Sequence, residues 1–345
     1  MGITYCTRED VKESLDIKTA TRMDRVIDRA VEAATRSVEN LTRRVFYPTI
    51  TTRYFDFPDG GRSSTYRQWI DEPAQLISAT SVTSGGTTIV TNDYFLEPVN
   101  EGPPFNRIEI DLASTANFDA EATHQRQTVV AGTWGYQNIW DAATTITATV
   151  NSSVTAIPID DSSQVGVGDM IRIGTEWINV SNKAMVDTLD DVSLTAANNA
   201  VTLTGLTSGN LNPGETILVD SERMLVLDVA GTTATVQRAY DGTVLAAHTT
   251  ASVWAPRSLT VVRGINGSTT ASHTSGDAVE RFAFPGPVRQ LAIAEALNTI
   301  MQGQSAYART VGTGDNMRES SGKGLSELRK NVRLDYGRRS RLRAI

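Results

Sequence analysis

The chain has 345 residues, 40% apolar and 21% charged, and a formal net charge of −7. This is an ordinary folded-protein balance, long enough for two or three domains. There is no apolar run of the eighteen or so residues a membrane span needs. The N-terminus "MGITYCTRED" lacks the basic flank and apolar core of a secretory signal, and the one cysteine, Cys6, excludes an internal disulfide framework or a multi-cysteine metal site.

The first segment reads as helix. In "TRED", Thr7 is a cap with Asp10 three residues on, a variant of the capping box, ahead of "VKESL". Met23, Ile27, Ala30, Ala34, Val38, Leu41 and Val45 then recur at steps of three and four, one apolar stripe on a helix of roughly 25 residues. Pro48 stops it.

From about residue 50 the period changes. "TTRYFDF", "YRQWID", "SATSVTSGGTTIV", "RIEIDL" and "QTVVAGTWGY" read as a β layer of about five short strands, with Gly85–Gly86 as a hairpin turn. Residues 145–280 stay β, rich in Thr, Val, Ser and Gly. Helix returns at "PGPVRQLAIAEALNTIMQ", apolar nearly all round and therefore buried between other elements. A polar connector over 303–324 follows, expected to be mobile in an isolated subunit. The last helix carries Leu325, Leu328, Val332 and Tyr336 on one side, and Gly337 marks its end.

The charge is unevenly spread. Residues 323–345 carry eight Lys and Arg against Glu327 and Asp335, a net of +6, so the chain ahead of this segment carries −13. Such a basic end predicts an acidic partner.

One phrase is spelt twice. Arg238, Gly242 and His248 recur as Arg263, Gly267 and His273, each 25 residues later. Upstream, "GDMIRIGTEWINV" (168–180) aligns with "GETILVDSERMLV" (214–226) at an offset of 46. Val226 and Arg238 stand close together, whereas Val180 and Arg263 stand far apart, and the second spacing exceeds the first by the sum of the two offsets. The pattern predicts a nested pair, an outer β module interrupted by a complete second copy of itself. Half of a small β module would leave unpaired edges and half a core, and joining the outer halves completes it. The break falls where the inner copy has a hairpin turn, "DVAGTTAT", whose ends lie adjacent. Asp241–Gly242 and Asn266–Gly267 are turn dipeptides of the primed type. His248 and His273 are then one packed or capping position seen twice.

The sequence holds no G-x-S-x-G, P-loop, H-E-x-x-H, Cys/His pair or G-x-G-x-x-G opening a helix, and we expect no catalytic residue, metal site or cofactor. Asp160–Asp161 and Asp190–Asp191 read as solvated turns, and Trp134 and Trp177 as core.

"YCTREDVKESLDI", the long "RMDRVIDRAVEAATRSVENLTRRVFYPTITTRYFDFP", "VVAGTWGY", and the "PGPVRQLAIAEALNTIM" helix with its connector and basic helix resemble the head–tail adaptor (connector) proteins of long-tailed bacteriophages. The match covers roughly 1–57, 127–136 and 283–345. The large β insertion departs from these adaptors, which are usually much shorter. The resemblance implies a non-enzymatic structural protein of the virion neck. It would form a homo-oligomeric ring, a dodecamer, beneath the portal and offer its far side to a stopper or tail-completion protein. Double-stranded DNA would pass through the lumen without tight binding during genome ejection, and no membrane is involved. The expected fold is α+β, with N- and C-terminal helices forming one helical adaptor domain interrupted by an all-β insertion that contains a nested pair of small repeated modules. The expected division is 1–50 with 281–345 as the helical core, 51–144 as a β layer, 145–185 with 257–280 as the outer module and 186–256 as the nested copy. Portal binding is expected from Leu325, Leu328, Val332, Tyr336, Arg338, Arg339, Arg341, Leu342, Arg343 and Ile345. Arginine suits bidentate pairing with fixed carboxylates. The alternative function is a virion binding module, whose β insertion recognises a host glycan or anchors a decoration or whisker protein.

Overall fold

The computed structural model describes residues 2–15, 23–57, 65–70, 75–121, 123–304, 310–311, 318–319 and 323–338. The chain divides into two compact units, one of residues 1–42, 140–265 and 269–345, the other of residues 43–139 and 266–268.

Helix α1 (Arg8–Ser14) begins on the anticipated capping box: the Asp10 N–H donates to Thr7 Oγ1 at 3.0 Å, and the Thr7 N–H donates to Asp10 Oδ2 at 2.9 Å. Helix α2 (Asp24–Thr42) buries Ile27, Ala30, Ala34 and Val38 of the predicted stripe. It ends before the stripe does. Arg43 turns left-handed at φ 57°, which breaks the helix, and Val45 is left 44% exposed.

The smaller unit holds seven strands among its described residues: β1 (Thr49–Phe55), β2 (Arg67–Trp69), β3 (Leu76–Ser84), β4 (Thr87–Ile89), β5 (Tyr94–Glu97), β6 (Arg107–Ile110) and β7 (Thr128–Trp134). They form two antiparallel sheets in the orders β1-β7-β3-β4 and β2-β6-β5. Strand β7 alternates buried and half-buried residues, and Val130 and Trp134 join Leu76, Ile108 and Phe118 in one core. Gly85 and Gly86 supply the two positive φ values that the β3–β4 turn requires.

In the larger unit follow β8 (Trp140–Thr145), β9 (Ala156–Pro158), β10 (Met170–Ile173), β11 (Glu176–Leu194), β12 (Thr202–Thr204), β13 (Thr216–Val219), β14 (Glu222–Ala230), β15 (Thr233–Tyr240), β16 (His248–Val262) and β17 (Ala278–Phe282). They make one sheet in the order β12-β15-β14-β13-β16-β11-β10-β17-β8, with β9 paired to β16. Its register repeats at the two sequence offsets. Ile157 faces Leu259 as Leu203 faces Ala234, and Val180 faces Val261 as Val226 faces Val236. Two separate cores result. One gathers Ile146, Ile157, Ile171, Ile178, Leu259 and Val279; the other gathers Val192, Leu203, Ile217, Met224, Val236 and Val253. Strands β11 and β16, 19 and 15 residues long, run through both.

Helix α3 (Gly286–Gln304) buries Val288, Leu291, Ala292, Ala296 and Ile300 and packs chiefly on α2. Within the connector expected to be mobile, β18 (Thr310–Val311) pairs with β19 (Arg318–Glu319); residues 305–309, 312–317 and 320–322 lie outside the described residues. Helix α4 (Lys323–Tyr336) lies against α2 and α3.

The fold is mostly β, 40% strand against 21% helix, and this corrects the expected helical adaptor domain with a β insertion. The helices and the β strands after Trp140 belong to one compact unit, tied through the N-terminal segment and α1. The Thr4 N–H donates to Gly168 O at 3.1 Å, the Arg8 N–H to Val167 O at 3.2 Å, and the Val167 N–H to Glu9 Oε2 at 2.8 Å. Tyr5 packs tilted against Phe284, and Phe284 meets Phe282, and Phe282 meets Trp140, edge to face, at centroid distances of 5.0, 4.9 and 5.2 Å. Gly166 sits so close to Thr7 that a β-carbon there would fall 2.5 Å from the threonine side chain. Helical periodicity in the sequence reports which face is apolar and does not report the links that the flanking residues make.

Candidate functional site

The repeated phrase builds the same buried clasp twice. In the outer copy Glu176, with its side chain fully buried, accepts from Arg263 Nε at 2.9 Å and Nη2 at 2.5 Å, from the Ala271 N–H at 3.0 Å and from His273 Nε2 at 2.8 Å. In the inner copy Glu222 takes the same places with Arg238 Nε and Nη2, both 2.7 Å, the Ala246 N–H at 3.1 Å and His248 Nε2 at 2.9 Å. The arginines spend their remaining N–H groups on carbonyls of Asn151, Val154 and Ala271 in one copy and Thr195, Ala200 and Ala246 in the other. Asp241 and Gly242, at φ 52° and 73°, form the turn after Arg238; Asn266 and Gly267, at φ 52° and 85°, form its counterpart. Burial pushes the Glu222 carboxyl up, but Arg238, His248 and two backbone N–H groups outweigh it and hold the group down at about 2. Buried groups so fully bonded cross-brace strands. They are not poised for proton transfer.

A third carboxylate joins the modules. Glu215 accepts from Arg257 Nε at 2.9 Å and Nη2 at 2.6 Å, and from the N–H and hydroxyl of Ser162 at 3.1 and 2.8 Å. Its counterpart 46 residues earlier is Asp169, which has no ion pair among the described residues. Asp169 is 5% exposed and accepts from the Gly166 N–H at 2.7 Å; burial pushes its carboxyl up to about 6, against the pull of Arg281 and Arg289 and with the help of Asp10. An acid whose folded value lies above its unfolded one loses stability as pH rises from about 4 through 6. Asp169→Asn keeps the acceptor and removes the charge. We expect it to be more stable than the parent above pH 7, by on the order of 2–3 kcal/mol, with the difference vanishing near pH 4 in urea titrations.

The predicted docking residues fall on α4 and beyond it. Val332 is fully buried, while Leu325, Leu328 and Tyr336 are half-buried. The narrow apolar stripe is therefore used in part on the chain's own helices. Arg329 donates to Glu295 of α3 through Nε at 2.5 Å and Nη2 at 2.6 Å. Gly337 ends the helix, its N–H bonded to Arg333 O at 3.0 Å, and the Arg338 N–H donates to Thr42 O, at the end of α2, at 2.9 Å. Lys330, Arg333 and Arg338 are exposed. Arg339, Arg341, Leu342, Arg343 and Ile345 lie outside the described residues.

No family model, curated protein or solved structure matches this chain.

Two parts of the site escaped the sequence reading. Glu295 is the one acid inside the apolar run of α3, and that isolation was a usable signal for a buried partner such as Arg329. The other is a cleft of about 600 Å³ between α1, the 162–167 loop and the inner module. Lys12 crosses it to Asp241 at 3.1 Å and to Asp24 at 2.6 Å, and Arg223 meets Asp241 at 2.9 Å. Lys12 and Arg223 are 229 and 18 residues from Asp241 in sequence, and no local pattern announces them.

Proposed function

We propose that this chain is a non-enzymatic structural protein of a tailed-bacteriophage virion. It is a ring-forming head-to-tail adaptor that docks on the portal through its C-terminal segment and carries the DNA channel toward the stopper or tail-completion protein. One observation carries the reading. The basic end of the chain leaves a fixed base: Val332 and the Arg329–Glu295 pair hold α4 on the helices, the Arg338 N–H is tied to Thr42, and Lys330, Arg333 and Arg338 face outward. A basic segment whose described part is anchored on the protein's own helices suits capture of an acidic protein surface. The clasps support the same reading, because the buried carboxylates Glu176, Glu215 and Glu222 are each bound to an arginine and serve rigidity. The body ahead of α4, at −13, is suited to letting DNA slide, since phosphate contacts would hold it.

Truncation after Gly337 tests it. The shortened chain keeps Val332 and the Glu295 pair, so it should stay folded, losing about 1 kcal/mol with the Arg338 hydrogen bond. Attachment to portal-bearing heads should be abolished, and in the full chain it should weaken with salt. Unchanged docking by the truncated chain would remove the C-terminal segment from this role.

A further inference from the structure

The two modules share a sheet but not a core. One core takes its buried residues from 192–255, the other from 146–180 and 259–279, and neither borrows from the other. Between them the sheet narrows to β11 and β16. Strand β10 pairs with β11 only as far as Asn179, β9 pairs with β16 only from Ser258 on, and β13 meets β16 only at Val253 and Trp254. The remaining two-stranded ribbon is irregular. Ala184 faces Ser258 and Val186 faces Ala255, so the register slips across Met185 and Pro256, and it slips again between Asp187 and Asp191. Pro256 has no N–H to give to the ladder. A bulged ribbon of two strands resists bending less than a sheet with neighbours on both sides.

Polar ties hold the inner module to the rest of its unit. Glu215 is bonded to Ser162 and, at the ribbon itself, to Arg257. A second tie comes from α1 across the cleft of about 600 Å³. There Lys12 Nζ lies 3.1 Å from Asp241 Oδ1, with the two side chains 12% and 2% exposed. The turn that holds Asp241 does not need an acid, since Asn266 stands 25 residues on in the equivalent turn at the same φ of 52°. A module with its own core, joined through a polar boundary and a thin ribbon, is the kind of part that moves as a body. We propose that the inner module is an arm that swings on the ribbon at 184–187 and 255–258, and that Lys12 and Asp241 are the latch that keeps it closed on α1. The swing needs no other protein, so it stands or falls apart from the adaptor reading.

The test is a distance measurement between spin labels on the full chain. Labels at Glu32→Cys on α2 and Thr232→Cys in the β14–β15 turn follow the arm; labels at Glu32→Cys and Ser272→Cys, in the loop before β17, give a reference within the rest of the unit. All three positions are exposed, and Cys6 is buried. The otherwise unchanged chain should give one narrow distance for the arm pair. Lys12→Met and Asp241→Asn should each widen that distribution by more than about 2 Å, the size that separates a rearrangement from side-chain adjustment. Lys12→Arg, which can still pair, should leave it narrow. Both disruptive variants should stay folded, because Asp24 keeps Arg8 and Asp241 or its amide keeps the Asp-Gly or Asn-Gly turn chemistry. An arm distance unchanged in both variants would overturn the proposal. Equal widening of the reference pair would overturn it as well, since the whole unit would then have loosened. A distribution already broad before any latch residue is changed would do the same, because nothing would be holding the arm closed.

Discussion

Arg263→Met should destabilise the larger unit by about 3–5 kcal/mol, and Arg238→Met should do the same to the inner module, because each leaves a fully buried glutamate without its counter-charge. The second half of the expectation separates a clasp from mere packing. Replacing Glu176 and Arg263 together by methionine should recover much of the loss, since a buried ion pair is roughly neutral against an apolar pair of similar volume. The coupling in this double-mutant cycle should reach about 3 kcal/mol or more, at the top of the range for residues in direct contact. The pH dependence has a definite sign. Glu222 is held at about 2, below its unfolded value, so its contribution is present above about pH 4.5 and is lost as pH falls through the folded value. Urea unfolding of the single and double variants at pH 7 and pH 3 measures both effects. Single variants within about 1 kcal/mol of the parent at pH 7, the size of an ordinary point substitution, would show that the clasps do not brace the sheet.

Excising residues 186–256 and joining Met185 to Arg257 through Asn-Gly should leave a folded protein. Val186 and Ala255 are register partners, as are Ala184 and Ser258, so the cut ends lie on adjacent strands and a two-residue turn closes them. The outer core keeps Ile157, Ile171, Leu259 and Val279, and its clasp keeps Glu176, Arg263 and His273. Removing 255–280 instead takes Leu259, Val261 and Val279 out of that core and leaves Glu176 buried without partners, which should unfold the larger unit. Amide exchange and thermal melting of the two deletions compare them. Equal loss in both would mean that the two copies do not form separate modules.

What was legible in the sequence was local. Thr7 and Asp10 are three residues apart, the α2 stripe repeats every three or four, and both positive-φ turns carry Asp-Gly or Asn-Gly, so short-range rules find them. The duplication was legible through spacing alone. What escaped depends on distant partners. The Tyr5 and Phe284 rings come from widely separated parts of the sequence and fuse the helices to the outer module, which is why a separate helical domain was expected and is not formed. The early end of α2 came from Arg43 turning left-handed, a conformation that no residue preference at that position signals. On α4 the stripe was read as a free docking surface, whereas Val332 is fully buried; an amphipathic pattern gives the face and not its occupant.

Under the proposed function this chain assembles as a ring on the portal through its basic end. Mass measurement of the full chain mixed with purified portal, in the absence of DNA, tests it most directly. The expected result is one discrete complex carrying a closed ring of this chain, about twelve copies by the adaptor resemblance, formed by the full chain and not by the chain cut after Gly337. A monomer that leaves the portal unoccupied, or a ring that forms equally well on the portal without residues 338–345, would contradict it.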